Sequence, residues 1–433
     1  MKIRKVYARN LVALVFLFFW ILGSSSPTIS QEIVKKGRYF VAEITKNFTV
    51  KPGGTLRIYD VRGDVRIETW AQNKVTANEI KKMDVFTREE AETVLKKSAA
   101  SYEQRGNVVE IGGEYHSRDW ITSTFEVKVP KTFNVDIETR GGDLSVTDLI
   151  GDVDLKTSGG DIDLDDIDGE IDARTSGGDI TVMNSKQRVN LKTSGGDLRL
   201  KNIGGPLLAK TSGGDIILTQ SEDKVDLNTS GGDIEITDAG GTVKAHTSGG
   251  DIDVNTSRGA VEVHTSGGDL VLRNIGGSLE ASTSGGDIEG RSIKGNADVS
   301  TSGGSIKMKD VQGGVRAKTA GGDLDVEITL TDFAKEHGVY MRTAGGEISL
   351  TIPEKLPATI RAVIEITDRW EDYNIYSDFP LKISEEAGRE RSERSRRRRS
   401  RRFIVSEGDI NGGGDMIELF TTNGNIQINK LRK

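Results

Sequence analysis

Carboxylates are the residues here whose type and spacing could do chemistry. Asp161, Asp179, Asp197, Asp215, Asp233, Asp251, Asp269 and Asp287 recur every 18 residues, each after a Gly-Gly pair. Paired carboxylates serve general acid–base hydrolysis, and ranked carboxylates attract divalent cations. Their abundance selects neither. The run Asp161 to Asp172 superficially resembles an EF-hand loop, but Asp166 stands where that loop needs glycine. Calcium-binding β-rolls use a nonapeptide word that this 18-residue word does not match. A cationic column directly precedes the repeated threonine: Lys156, Arg174, Lys192 and Lys210. These cations are expected to pair with the aspartates across the turn. Asn228, His246, His264, Ser282 and Ser300 then occupy that column. The mismatch leaves Asp233, Asp251, Asp269 and Asp287 as a candidate cation stripe, with calcium as the candidate ion. His246 and His264, one coil apart, are expected to be stacked neighbours on the outside.

The opposite charge is concentrated near the C-terminus. Glu385 to Arg402 is low in complexity and holds nine arginines, including Arg396, Arg397, Arg398, Arg399, Arg401 and Arg402. Such a block buries no apolar surface and is expected to be disordered. As an anion-binding patch it suits an envelope polysaccharide, an anionic lipid or a protein partner. Nucleic acid ranks last, because no aromatics interleave the arginines.

What positions these groups is a repeat. Thr-Ser-Gly-Gly-Asp or a close variant begins at Thr139, Thr157, Thr175 and every 18 residues to Thr319. In the unit from Thr157, Ile162 and Leu164 alternate with aspartates, as do Ile171 and Ala173 with Glu170, Asp172 and Arg174. That is the period of a strand buried on one face. Thr175 continues the inward phase. One coil buries almost nothing alone, so the coils must stack with their strands in parallel. The expected fold is all-β: a single-stranded parallel β-solenoid of 18-residue coils. The Gly-Gly pairs are expected to supply positive φ and close approach at tight corners, and the aspartate to cap the corner by accepting backbone N–H groups.

The ladder occupies 136–366. Before it, 31–135 reads as a β-rich cap with one short helix, about Arg88 to Tyr102, with Trp70 and Trp120 in the core. After it come a loop with the arginine-rich insertion (367–410) and C-terminal strands closing the end (411–433). Residues 1–30 have the form of a secretory signal: Lys2, Arg4, Lys5 and Arg9, then an apolar run from Leu11 to Leu22, then small residues. Twelve apolar residues make a helix of roughly 18 Å, too short for a bilayer core of about 30 Å. The mature chain is expected to have no transmembrane span, in the periplasm, outer envelope or cell surface. No cysteine is present, which removes disulfides, thiolate metal sites and cysteine nucleophiles.

Val61-Arg62-Gly63-Asp64-Val65, Val129-Pro130-Lys131, the Thr-Ser-Gly-Gly-Asp ladder, Asn411-Gly412-Gly413-Gly414 and Thr421 to Ile426 together resemble the bacterial putative-adhesin family of exported β-solenoids, largely a domain of unknown function. The resemblance implies envelope or surface contact and transfers no catalytic residue. The function expected is therefore a non-catalytic adhesin or scaffold without a cofactor. The alternatives are a polysaccharide-acting β-helix enzyme, whose cleft only the two C-terminal insertions could wall, and an envelope-signalling accessory.

Overall fold

The structure is a computed structural model, describing residues 32–113, 121–367, 372–388 and 401–432. The arginines 396–399, Trp120 and the signal-like segment lie outside them. Each coil contributes a longer strand, such as Ile180–Ser185, and a four-residue strand, such as Val189–Lys192. Successive coils pair in parallel, in constant register up to a shift between Met308 and Val311: Ile180 faces Ile162 and Leu198, and Val189 faces Ile171 and Leu207. Among the described residues this builds two sheets of nineteen strands each. At about 4.8 Å per strand, each is roughly 85 Å long.

The aliphatic columns read from the alternation are the core. Ile162, Leu164, Ile171 and Ala173 are at most 2% exposed, as are their counterparts in neighbouring coils. The longer strand also bends. Asp166, Asn184, Asn202, Asp238, Asn274 and Asp310 sit in the left-handed region at φ near 55°. Two consecutive side chains then face outward, and the following residue (Ile167, Ile203, Ile275 or Val311) turns back into the core. Asn and Asp tolerate that conformation better than other side chains. A coil therefore has two sheets and three inward runs.

The stack extends past both ends of the ladder. Gly54–Val61 lies between Phe133–Thr139 and Val108–Gly112, parallel to both. Val65–Trp70 lies likewise between Leu144–Ile150 and Ile121–Pro130. Beyond them pairing turns antiparallel through Lys74–Met83, Tyr39–Thr49 and Ile33–Lys36, and through Ser101–Arg105. The helix runs Arg88–Lys97, shorter than expected, because Ser98 ends it and a strand begins at Ser101. Thr87 and Glu90 form its capping box, and Ala91 and Leu95 bury against the sheet.

The C-terminal end departs from expectation in two respects. The strands Asp415–Thr422 and Ile426–Lys430 do not close the stack. They slot in directly after Val339–Arg342 and Ile348–Ile352, continuing the inward columns with Ile417 and Leu419. The closing elements are Ala358–Ile366 followed by the antiparallel pair Arg401–Ile410 and Lys382–Gly388 on the short-strand sheet, and Ile375–Ser377, parallel to Ile426–Lys430, on the other. The segment read as disordered thus begins and ends in paired strand. Backbone pairing with Arg401–Ile410 orders Glu385 and its neighbours despite their charge. Arg402, exposed, lies in that strand.

Candidate functional site

The Thr-Ser-Gly-Gly-Asp word is a joint between coils. Thr193 is buried, and its hydroxyl donates to the Gly178 carbonyl of the preceding coil at 2.9 Å. The Gly196 amide donates back to Thr193 Oγ1 at 3.3 Å. A Cβ on Gly196 would sit 1.9 Å from the Gly178 oxygen, whereas one on Gly195 would be 3.5 Å from its nearest neighbour. Close approach, not positive φ, therefore fixes the second glycine; among the described residues this corner holds left-handed glycines only at Gly142 and, one coil earlier, at Gly63.

The aspartates complete the joint. Asp179 Oδ1 accepts the Asp197 amide at 2.8 Å, and Asp233, Asp251, Asp269 and Asp287 each accept the amide one coil on at 2.7–2.8 Å. The expected cap exists, and it reaches the next coil. These four carboxylates form a hydrogen-bonded ladder with one oxygen each already engaged. Among the described residues, no three His, Asp or Glu side chains converge as a metal site. The predicted cationic partners point elsewhere: Lys156 bonds Glu138 at 2.6 Å and Arg174 bonds Asp172 at 2.9 Å. They project from the end of the short strand, around the corner from the ladder. Arg199 does the pairing, 2.7 Å from Asp179 and 2.8 Å from Asp197. Its guanidinium and the Asp197 amide hold Asp179 below the usual carboxylate range. His246 and His264 do stack, with ring centroids 5.1 Å apart and planes 3° from parallel, and His264 Nδ1 lies 2.7 Å from Ser282 Oγ. Trp70 is half-buried, its indole N–H donating to the Lys74 carbonyl at 2.7 Å.

A concave feature lies on the outer face of the short-strand sheet. A groove of about 690 Å³ runs across the strands from Thr242 to Glu418. It opens because one surface column shrinks. Asp152, Glu170, Arg188, Pro206 and Lys224 are followed in that column by Thr242, Ala260, Ser278, Asn296 and Gly314. The parallel column beside it carries Lys244, Glu262, Glu280, Asp298, Arg316, Tyr340 and Glu418 in direct register. Lys244 pairs with Glu262 at 2.5 Å, and Arg316 lies 3.6 Å from Asp298 and over the Tyr340 ring. Among the described residues no salt bridge engages Glu280, Glu336 or Glu418.

The insertion that breaks the repeat after Leu330 supplies one wall. Glu336 lines the groove, and buried His337 anchors the loop. Its ring nitrogens lie 2.8 Å from the Lys335 carbonyl oxygen and 2.9 Å from that of Pro357, and its amide donates to Asp415. Sequence reasoning identified this insertion as a possible wall but missed the groove. The signal was the shrinking column, visible only with the coils aligned.

The fold and its joints define a β-solenoid of stacked, self-similar coils with an open groove on one face. The chain belongs to the Toastrack DUF4097 family, whose profile matches residues 55–288 and 238–412. Among solved structures it is similar to a putative adhesin from Bacteroides fragilis, at 15% identity over 64% of this chain and 96% of that one, with a TM-score of 0.23. A putative adhesin from Parabacteroides distasonis gives 14%, 66%, 97% and 0.24. A putative cell adhesion protein from Clostridium sporogenes gives 9%, 90%, 100% and 0.15. At such scores the family match alone carries the assignment. No curated protein matches the chain. Among the described residues no helix is long and apolar enough to cross a membrane.

Proposed function

We propose that this protein is a non-catalytic binding module of the cell envelope or surface, exported by its N-terminal segment, that holds an extended polymer along the groove. The observation carrying this reading is the groove itself: a rigid sheet face, opened by small residues over successive coils and walled by an anchored insertion. Its form suits a chain laid along the solenoid axis better than a compact ligand.

Binding is favoured over hydrolysis by the state of the carboxylates. A glycosidase needs one carboxyl kept protonated by an apolar pocket. Here Glu262 and Asp298 are exposed, and each lies beside a cation rather than in an apolar pocket. The exposed Arg402, together with the arginines preceding it, offers a second contact for anionic envelope polymers.

The test is co-sedimentation of the full chain with insoluble envelope polysaccharide, beside the variants Ala260→Arg and Ser278→Arg. These restore bulk to the shrunken column at exposed or half-exposed positions. Binding is expected for the native chain and lost in both variants at unchanged melting temperature. Equal binding by all three would remove the groove from the account.

A further inference from the structure

The groove also constrains what kind of polymer it holds, an inference that rests on the binding reading above. Its outer column repeats once per coil, about 4.8 Å. An extended polypeptide presents same-face side chains about every 6.7 Å and would drift out of step within two coils. A linear two-fold chain of pyranose rings advances by close to one coil per sugar, so its groups on one face recur about every two coils and stay in step. The floor beside the column offers the hydroxyls of Thr242 and Ser278 and the amide of Asn296, groups that pair with sugar hydroxyls.

Charge narrows the class further. Glu262, Glu280 and Asp298 face one another on consecutive strands. Lys244 offsets the first and Arg316 the last, so Glu280 stands between two carboxylates with no cation of its own. Like charges directly opposite in a sheet are destabilising. Asp154, between Asp136 and Asp172, holds the same kind of position on the flat part of this face, where Arg57 and Arg174 engage only its two neighbours; Glu280 differs in lining the groove. A cationic group laid in the groove would relieve the repulsion at Glu280. Glu336 on the insertion adds a further carboxylate to the wall.

We infer that the groove takes a linear polysaccharide bearing free amino groups, one ammonium of which pairs with Glu280. The ion pair is a charge-assisted N–H···O contact, and the amide of Asn296 and the hydroxyls flank it. No covalent step is involved.

The experiment uses the full chain and three soluble probes in low and high salt: fully deacetylated chitosan hexamer, its N-acetylated counterpart, and hexalysine. The deacetylated hexamer is expected to bind most tightly, with affinity falling as salt rises. Glu280→Gln is expected to weaken it about tenfold, as loss of one charge-assisted contact does. Glu336→Gln should weaken it less, and Glu235→Gln, on the opposite sheet, not at all. Equal binding of the acetylated hexamer would overturn the charge selection while leaving the groove as a glycan site. Equal binding of hexalysine, or loss of that preference without loss of affinity in Glu280→Gln, would overturn the sugar class. Binding of none of the probes, with envelope co-sedimentation intact, would overturn this inference and spare the wider reading.

Discussion

The corners and the outer face of the short-strand sheet lie a few residues apart in every coil, yet they follow opposite rules. At the corner, threonine, the second glycine and, with few exceptions, aspartate return in each repeat because each touches the preceding or the following coil. On the outer face the residues drift, and at Thr242 the drift becomes directional as bulky charged side chains give way to small ones. A residue that joins two coils is held by the geometry of the stack. One that faces water is free to be set by a ligand. Repetition in this molecule marks structure, and the break in repetition marks the candidate site.

The largest expected effect separates the two glycines of a corner. Gly214→Ala would place a methyl 2.1 Å from the Gly196 oxygen, forcing neighbouring coils apart at a cost of about 3 kcal/mol. Gly213→Ala meets nothing nearer than 3.6 Å and should stay within about 0.5 kcal/mol of the native chain. Denaturant midpoints of the two variants give the comparison directly. If both lose stability equally, close packing at the second position is not what selects glycine.

Thr211→Val comes next. It keeps the shape but removes the donor to the Gly196 carbonyl, 2.9 Å away, leaving a buried acceptor unsatisfied at about 1–3 kcal/mol. A loss under about half a kcal/mol would show that the hydroxyl is not a structural bond.

Smaller effects test the carboxylates. Asp251→Asn keeps an oxygen for the Asp269 amide and removes a like charge from the ladder. A slight rise in melting temperature at low salt is expected, fading at high salt. A large fall would mean that the charge itself holds the joint. Asp154 has its carboxyl raised, first by burial and then by Asp172 and Asp136. A carboxyl whose folded pKa is raised favours the folded state when protonated, and that contribution is lost as pH rises through the folded value. Asp154→Asn should therefore stabilise the protein at neutral pH, with the gain vanishing below the ordinary aspartate range. Melting curves across acid to neutral pH would contradict this if the gain grew as pH fell.

The sequence alone was enough to read the period, the inward columns, the buried threonine and the capping aspartate, because each recurs at one spacing in a uniform environment. The inward return of Ile167 after the bend at Asp166 was missed although Asn or Asp recurs at the bend, since Gln220, Thr256 and Ser292 interrupt that column and Asp165 beside it blurs the alternation. The interleaved C-terminus was out of reach for a different reason. Val339–Arg342 pairs with Asp415–Thr422 across a long excursion of the chain, and neither segment encodes which neighbour it will meet. For the site, the insertion was legible as a break in the period. The ion pairs along the groove depend on register between coils and emerge only when the columns are stacked.

The account is tested most directly by amide hydrogen exchange on the full chain, with and without the deacetylated chitosan hexamer. Corner amides at Asp233, Asp251 and Asp269 should exchange slowest throughout and be unmoved by the sugar. Added protection should be confined to the groove strands, from Val243–His246 through Val315–Lys318 to Val339–Arg342 and Asp415–Thr422. Protection appearing instead at the corners or on the opposite sheet would contradict the division of labour between repeated joints and drifted face.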